Sequence, residues 1–446
     1  MDFLAVPLVL FCIALICTLL TSNSRARKSP KLPPGPYPLP IIGNILQLGS
    51  KPHQSLAKLS RKYGPVMSLK LGSITTVVVS SPEAAKIILQ KHDVAFSSRP
   101  VPSAAQCLNH DEFSMVFLPV ENQWRKLRKI CKEQMFSVPR LDAGQDLRRE
   151  KLQKLWEYVK KCSETGRAVD IGEAAFTTSL NIMSEMFLSM EFAQFNSDSP
   201  MKDVVWGVLG CIGSPNFGDY FPILKPADLQ GLLRQTTIYF GKLLDTFDGI
   251  IEERLKSGCG KDDVVEALIE LSQRGDAELS RNDIKHLLVD LLLAGTDTTS
   301  GTVEWAMTEL MRQPDKMCRV RDEIGSLVGE KGQVEESDIS QLPYLQAVVK
   351  ETLRLHPAAP FLLPHKAVSD IEIDGYVVPK DTQILVNIWA SGRDPCIWPD
   401  AESFMPERFL DHNVQIDFRG TNSNSFLLVQ GGGSVQGCRW RIGWCT

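Results

Sequence analysis

The strongest constraint in this chain is a long apolar helix pattern interrupted by residues that should stop it. Leu287 to Leu293 is apolar apart from Asp290, and Val303 to Met311 resumes helix-period spacing. Between them stands Ala294-Gly295-Thr296-Asp297-Thr298-Thr299-Ser300-Gly301, mostly weak helix formers. A loop joining two helices is one reading, but there is no proline and the helical period appears on both sides. A single helix, locally opened by Gly295 and by threonine hydroxyls bonding back to carbonyls one turn earlier, accounts for both facts. Such an opening leaves a groove and the Thr298 hydroxyl inside an otherwise apolar helix.

The rest of the chain surrounds this helix with others. Thr75 to Ser80 reads as a strand, and Pro82 to His92 as a short helix capped by Ser81. Leu141 to Leu310 is dominated by helix-period apolar patterns. Ile371 to Leu385 returns to strand-like alternation, with turns at Asp374-Gly375 and Lys380-Asp381. Many helices with a few short strands predict an α+β, mostly helical fold. The 446 residues are 43% hydrophobic with a net charge of -4, which argues against disorder. No linker, charge block or repeat divides them, so one large domain is expected. A pI of about 6.0 gives no basis for a nucleic-acid partner. Eleven scattered cysteines without a C-x-x-C pair suit reduced thiols better than a disulfide framework.

Phe3 to Leu20 is an uncharged apolar run of about the length that crosses a ~30 Å hydrocarbon core. Arg25, Arg27, Lys28 and Lys31 follow it, so the positive-inside bias leaves the body on the cytosolic side. A cleaved signal peptide is the competing reading, weakened by the missing basic n-region and the length of the apolar run. Pro33, Pro34, Pro36, Pro38 and Pro40 then predict a stiff extended segment, or a simple linker. The expected organisation is a membrane anchor at 1–24, a basic and proline-rich hinge at 25–45, a globular body at 46–425 and a tail at 426–446.

Three further motifs follow the interrupted helix. Glu351 and Arg354 share one face of a helix that must end before Pro357. Pro406-Glu407-Arg408-Phe409 stands downstream, and Trp124 and Arg128 lie four apart on a basic helix. In this order, from the anchor to about residue 420, the motifs resemble those of cytochrome P450 monooxygenases. Within that family the stretch Phe221 to Gly231 looks like plant microsomal members related to geraniol hydroxylases. The resemblance implies the cytochrome P450 fold with an N-terminal transmembrane helix, haem b as cofactor, and electrons from NADPH through NADPH-cytochrome P450 reductase. It implies residence in the endoplasmic reticulum membrane and insertion of one oxygen atom into a small lipophilic substrate, a terpenoid alcohol being the first candidate. Thr298 and Asp297 would manage dioxygen and protons, with Ala294 beside the substrate. Arg99, Trp124, Arg128 and His365 would seat the haem carboxylates, four donors for two buried anions. Arg408 would join Glu351 and Arg354 in a structural charge cluster. Arg125, Lys126, Lys129 and Lys132 remain to meet an acidic reductase.

The tail departs from the family. The resemblance calls for F-x-x-G-x-R-x-C-x-G, whose cysteine holds iron as a thiolate, whereas the chain from Phe426 to Thr446 lacks that pattern. Taking the third base of each codon with the next two, Phe426 to Trp440 can spell P-F-G-[AS]-G-R-R-K-C-A-G-M-P-L-A. That string restores the Phe, Gly, Arg and Cys spacing. We therefore expect a C-terminally truncated family body followed by a tail from a frameshift, a misplaced splice or a sequencing error. Cys438 and Cys445 are the substitute ligands the tail offers, without the Phe and Arg setting of the loop. The alternatives to a monooxygenase are then a catalytically inactive, haem-poor product or a non-enzymatic binder of hydrophobic ligands.

Overall fold

The computed structural model describes residues 32–410 apart from 258–259, 275–278, 330–331 and 333. The expected anchor at Phe3 to Leu20, the basic residues after it, and the tail with Cys438 and Cys445 lie outside the described residues. Among the described residues, no helix is long and apolar enough to cross a membrane.

A small sheet supports one end of the body. Strands β1 (Val66–Leu71) and β2 (Ile74–Val79) pair antiparallel with Val66 opposite Val79. Val77, Val78 and Val79 are all fully buried, which suits the β-branched run. Ser81 caps the next helix, Pro82–Lys86, by accepting from the Ala84 amide. Much later come β3 (His365–Lys366), β4 (Ile371–Ile373), β5 (Tyr376–Val378) and β6 (Gln383–Val386). β4 and β5 form a hairpin whose turn residues Asp374 and Gly375 both have positive φ. β6 runs parallel to β2, with Thr76 opposite Gln383, and gives the sheet order β1-β2-β6-β3. The proline-rich run lies against this sheet. Ser68 bonds the Pro33 and Pro34 carbonyls, and a Cβ at Gly35 would stand 1.9 Å from the Ser68 oxygen.

Helices form the bulk, and five position the site. They are α1 (Asn122–Gln134), α2 (Ile171–Leu188), α3 (Leu232–Ser257), α4 (Arg281–Arg312) and α5 (Pro343–Leu355). α4 is the spine. Ser280 and Asp283 form a reciprocal capping box at its start. Leu287 to Leu293 are buried in the largest core cluster, against α2 and α3. The helix is unbroken through residues 294–301, so the interrupted pattern is one element. The back-bonding is present: Thr296, Thr298 and Thr302 donate at 2.7 Å to the carbonyls of Leu292, Ala294 and Thr298. Gly295 does something other than open a turn. A Cβ there would stand 2.3 Å from Met183 Cε, so the missing side chain lets α2 lie close against α4.

Candidate active site

The floor of the candidate site is the middle of α4. Ala294, Asp297 and Thr298 are exposed although the two turns before them are buried. Their spacing puts them on one helix face, so a polar window opens in a core-facing helix. The Thr298 hydroxyl spends its proton on the Ala294 carbonyl, which leaves its oxygen lone pairs to accept from a ligand. Asp297 is reached by solvent yet surrounded by protein, and burial raises its carboxyl pKa. A carboxyl with a raised pKa beside a hydroxyl with free lone pairs is a short proton path to whatever sits on this face.

A second group carries basic donors. The Ser98 carbonyl accepts from the Lys366 amide at 2.7 Å, bringing the segment before Arg99 beside β3. Arg99 Nη1 donates to the Leu363 carbonyl at 2.9 Å and, more weakly, to that of Pro364 at 3.3 Å. Burial lowers the Arg99 pKa to about 10. His365 Nδ1 donates to the Phe96 carbonyl at 2.7 Å, which leaves Nε2 as its other polar atom. Burial first, then the Arg99 charge, push the His365 pKa down to about 4. Arg99 is a buried guanidinium that donates to carbonyls and can donate to a carboxylate. His365 adds a second donor at Nε2 only as the imidazolium, because its neutral ring, with Nδ1–H on Phe96, leaves Nε2 an acceptor. A haem propionate meets that chemistry.

Trp124 and Arg128 form a pair of their own on α1, the guanidinium 5.1 Å from the ring centroid. The Trp124 indole N–H donates to the Met115 carbonyl at 3.1 Å, so this bond goes to the chain itself. On the same helix Arg125, Lys129 and Lys132 are exposed and Lys126 is half-buried.

The charge cluster assembles in full. Arg354 reaches Glu351 through two bonds of 2.7 Å, and neither side chain has accessible surface. Arg408 Nε adds a bond of 3.1 Å to Glu351 Oε1. The remaining Arg354 donors go to the carbonyls of Gly392, Ala401 and Ser403. These contacts tie α5 to the segment 392–408, a structural role.

Free cysteines lie both in the core and on the surface of the described residues. Cys107, Cys131, Cys162 and Cys211 are buried, and burial pushes the Cys107 thiol up to about 12. An iron ligand from the tail, Cys438 included, falls outside the described residues. Sequence reasoning did not assemble a buried network of His110, Ser114, His286 and Asp290, although Asp290 was visible as the lone charge in a leucine run.

Comparisons with known proteins place the chain in a family. A family model described as cytochrome P450 matches residues 33–427. The chain is 53% identical over 426 residues to "Cytochrome P450 76T24" of Catharanthus roseus, covering 94% of this chain and 84% of that relative. It is 51% identical over 446 residues to a ferruginol synthase of Isodon rubescens, covering 98% and 89%. It is 47% identical over 443 residues to the geraniol 8-hydroxylase of Catharanthus roseus, covering 98% and 88%.

Proposed function

Because the chain belongs to the cytochrome P450 family of haem-dependent monooxygenases, we propose that it hydroxylates a small terpenoid alcohol of the geraniol kind. The observation that carries this reading is the polar window of Ala294, Asp297 and Thr298 in a buried helix. The apolar surroundings suit a lipophilic substrate, and the window places an acid and a hydroxyl beside it. Arg99 and His365 would hold haem through a carboxylate, with Arg128 and Trp124 as a further pair. When bound, haem supplies dioxygen activation, with electrons derived from NADPH. Ala294 leaves room for substrate, Thr298 accepts a hydrogen bond at Oγ1, and Asp297 passes protons at the window.

The reductase as electron donor, with the basic face of α1 as its docking side, belongs to the same proposal. So does anchoring in the endoplasmic reticulum membrane by residues 1–24, with the body at 46–425 in the cytosol. The inactive, haem-poor product expected from the tail draws no support from the family match or the relatives. One experiment addresses both readings. Membranes carrying the chain are incubated with reductase, NADPH and geraniol. A product one oxygen atom heavier than geraniol supports the proposal. Its absence, both from this chain and from a version with the haem-loop frame restored, overturns the substrate class.

A further inference from the structure

One turn before the window, α4 carries a polar cluster that takes no part in the chemistry described above. His110, Ser114, His286 and Asp290 are exposed by 1%, 0%, 2% and 5% respectively. Ser114 Oγ lies 2.8 and 2.9 Å from the two oxygens of Asp290, and His110 Nε2 lies 3.2 Å from Oδ1. His110 Nδ1 and His286 Nδ1 are 2.9 Å apart. His110 donates from Nε2 to the Asp290 carboxylate, and the two Nδ1 atoms share one proton between them. Burial and the neighbouring His110 lower the His286 pKa to about 4, which keeps that ring neutral. Aromatic rings close the cluster. Phe113 stacks on His286 at 5.2 Å, and Phe240 and Phe117 lie 4.6 and 6.2 Å from His110.

Apolar side chains would fill this space at less cost than a buried carboxylate and two imidazoles. What the network adds is one fixed geometry, and the chain beside it requires fixing. Leu108 and Asn109, immediately before His110, have φ of 51° and 57°. Left-handed backbone is costly for leucine, and Leu108 is 45% exposed, so burial offers it little compensation. Such strain persists only where the following residues are pinned. They are pinned at His110 and Ser114. From there Ser114 Oγ accepts from the Val116 amide at 3.1 Å, and the Met115 carbonyl accepts from Trp124. On α4, Asp290 precedes Ala294 by four residues and so shares its face. The segment 110–118 is therefore clamped to α4 directly beside the window.

We propose that His110, Ser114, His286 and Asp290 are positioning residues, a latch that fixes segment 110–118 as the wall of the substrate site and sets the size of substrate admitted. The proposal rests on reading the Ala294–Asp297–Thr298 window as the substrate site. Its test needs neither haem nor turnover.

The full chain in lipid nanodiscs is compared with Asp290→Asn, Asp290→Ala and Ser114→Ala by hydrogen exchange, and by tryptophan-fluorescence titration with geraniol and the longer farnesol. Loss of a buried charge-assisted bond should raise exchange across 107–118 about tenfold or more, leaving β1 and β2 unchanged. The ratio of farnesol to geraniol affinity should rise several-fold, least in Ser114→Ala. Unchanged exchange at 107–118 overturns the latch. So does a rise shared equally by β1 and β2 in all three variants, which would mean general destabilisation. Local loosening with an unaltered affinity ratio overturns the control of substrate size. If neither alcohol binds the unmodified chain, the substrate proposal and the size control fail together, while exchange still decides the clamp.

Discussion

Glu351→Ala removes the centre of the charge cluster, and its cost follows from the bonds it breaks. Glu351 accepts two bonds from Arg354, one from Arg408 and one from the Met405 amide at 2.7 Å. Without it Arg354 keeps three carbonyl partners but no counter-charge, at 1% exposure. Breaking a buried pair by removing one partner costs about 3–5 kcal/mol, against a typical domain stability of about 5–15 kcal/mol. Arg354→Met leaves Glu351 with Arg408 and the Met405 amide and should cost a similar amount. The double variant Glu351→Ala with Arg354→Met removes both charges and leaves Arg408 on the carbonyls of Pro399, Asp400 and Ser403. It should cost no more than either single change, not their sum. Guanidinium unfolding followed by tryptophan fluorescence reads this directly. Trp398 lies 5.4 Å from the Arg354 guanidinium and is 5% exposed, so the cluster contains its own reporter. Single variants costing under about 1 kcal/mol, or a double variant equal to their sum, would refute the account of α5 and segment 392–408 as one charge-locked unit.

Two histidines, His286 buried and His365 half-buried, make the fold acid-sensitive. His286 and His365 have pKa values lowered from 6.5 to about 4, so their stabilising contribution is full above pH 6.5 and is lost as pH falls towards 4. At pH 5 the loss is about 2 kcal/mol for His286 and less for half-exposed His365, read as a shift in urea midpoint between pH 7.5 and 5. A profile unaltered by His286→Gln would contradict this. Arg99→Met should raise the His365 titration point measured by NMR, but only in part, because burial is the larger cause of its depression. Gly295→Val, which drives a branched side chain at Met183, should cost about 1–3 kcal/mol in the same urea assay. Gly295→Ala should cost less, because the thioether end can move; a valine variant as stable as the original would exclude close packing there. Asp297→Asn should lower the hydroxylation rate about 10²-fold while geraniol affinity changes little, and an unchanged rate would remove Asp297 from the proton path.

Features set by neighbours in sequence were legible before the structure. The Ser81 cap, the Asp374-Gly375 turn and the end of α5 before Pro357 each depend on a few consecutive residues. The shared face of Glu351 and Arg354 was equally plain, because helical spacing alone produces it. Partners from distant segments were not legible. Nothing in Thr75 to Ser80 announces a parallel partner at Gln383 to Val386. Gly295 read as a local opening of the helix because its role depends on Met183, which a single sequence does not place beside it. The bond from Trp124 to Met115 is likewise a tertiary fact. The latch was half visible, since Asp290 stood out, but His110 lies 176 residues from its partner His286.

The most direct test of the central claim is a reduced carbon-monoxide difference spectrum of membranes carrying the full chain, beside a version with the haem-loop frame restored. A thiolate-type Soret band from the restored chain, weakened by Arg99→Met, is the expected result. A folded restored chain without that band would contradict the assignment of this body as a haem monooxygenase. A band from the unrestored chain would show instead that the tail supplies an iron ligand of its own.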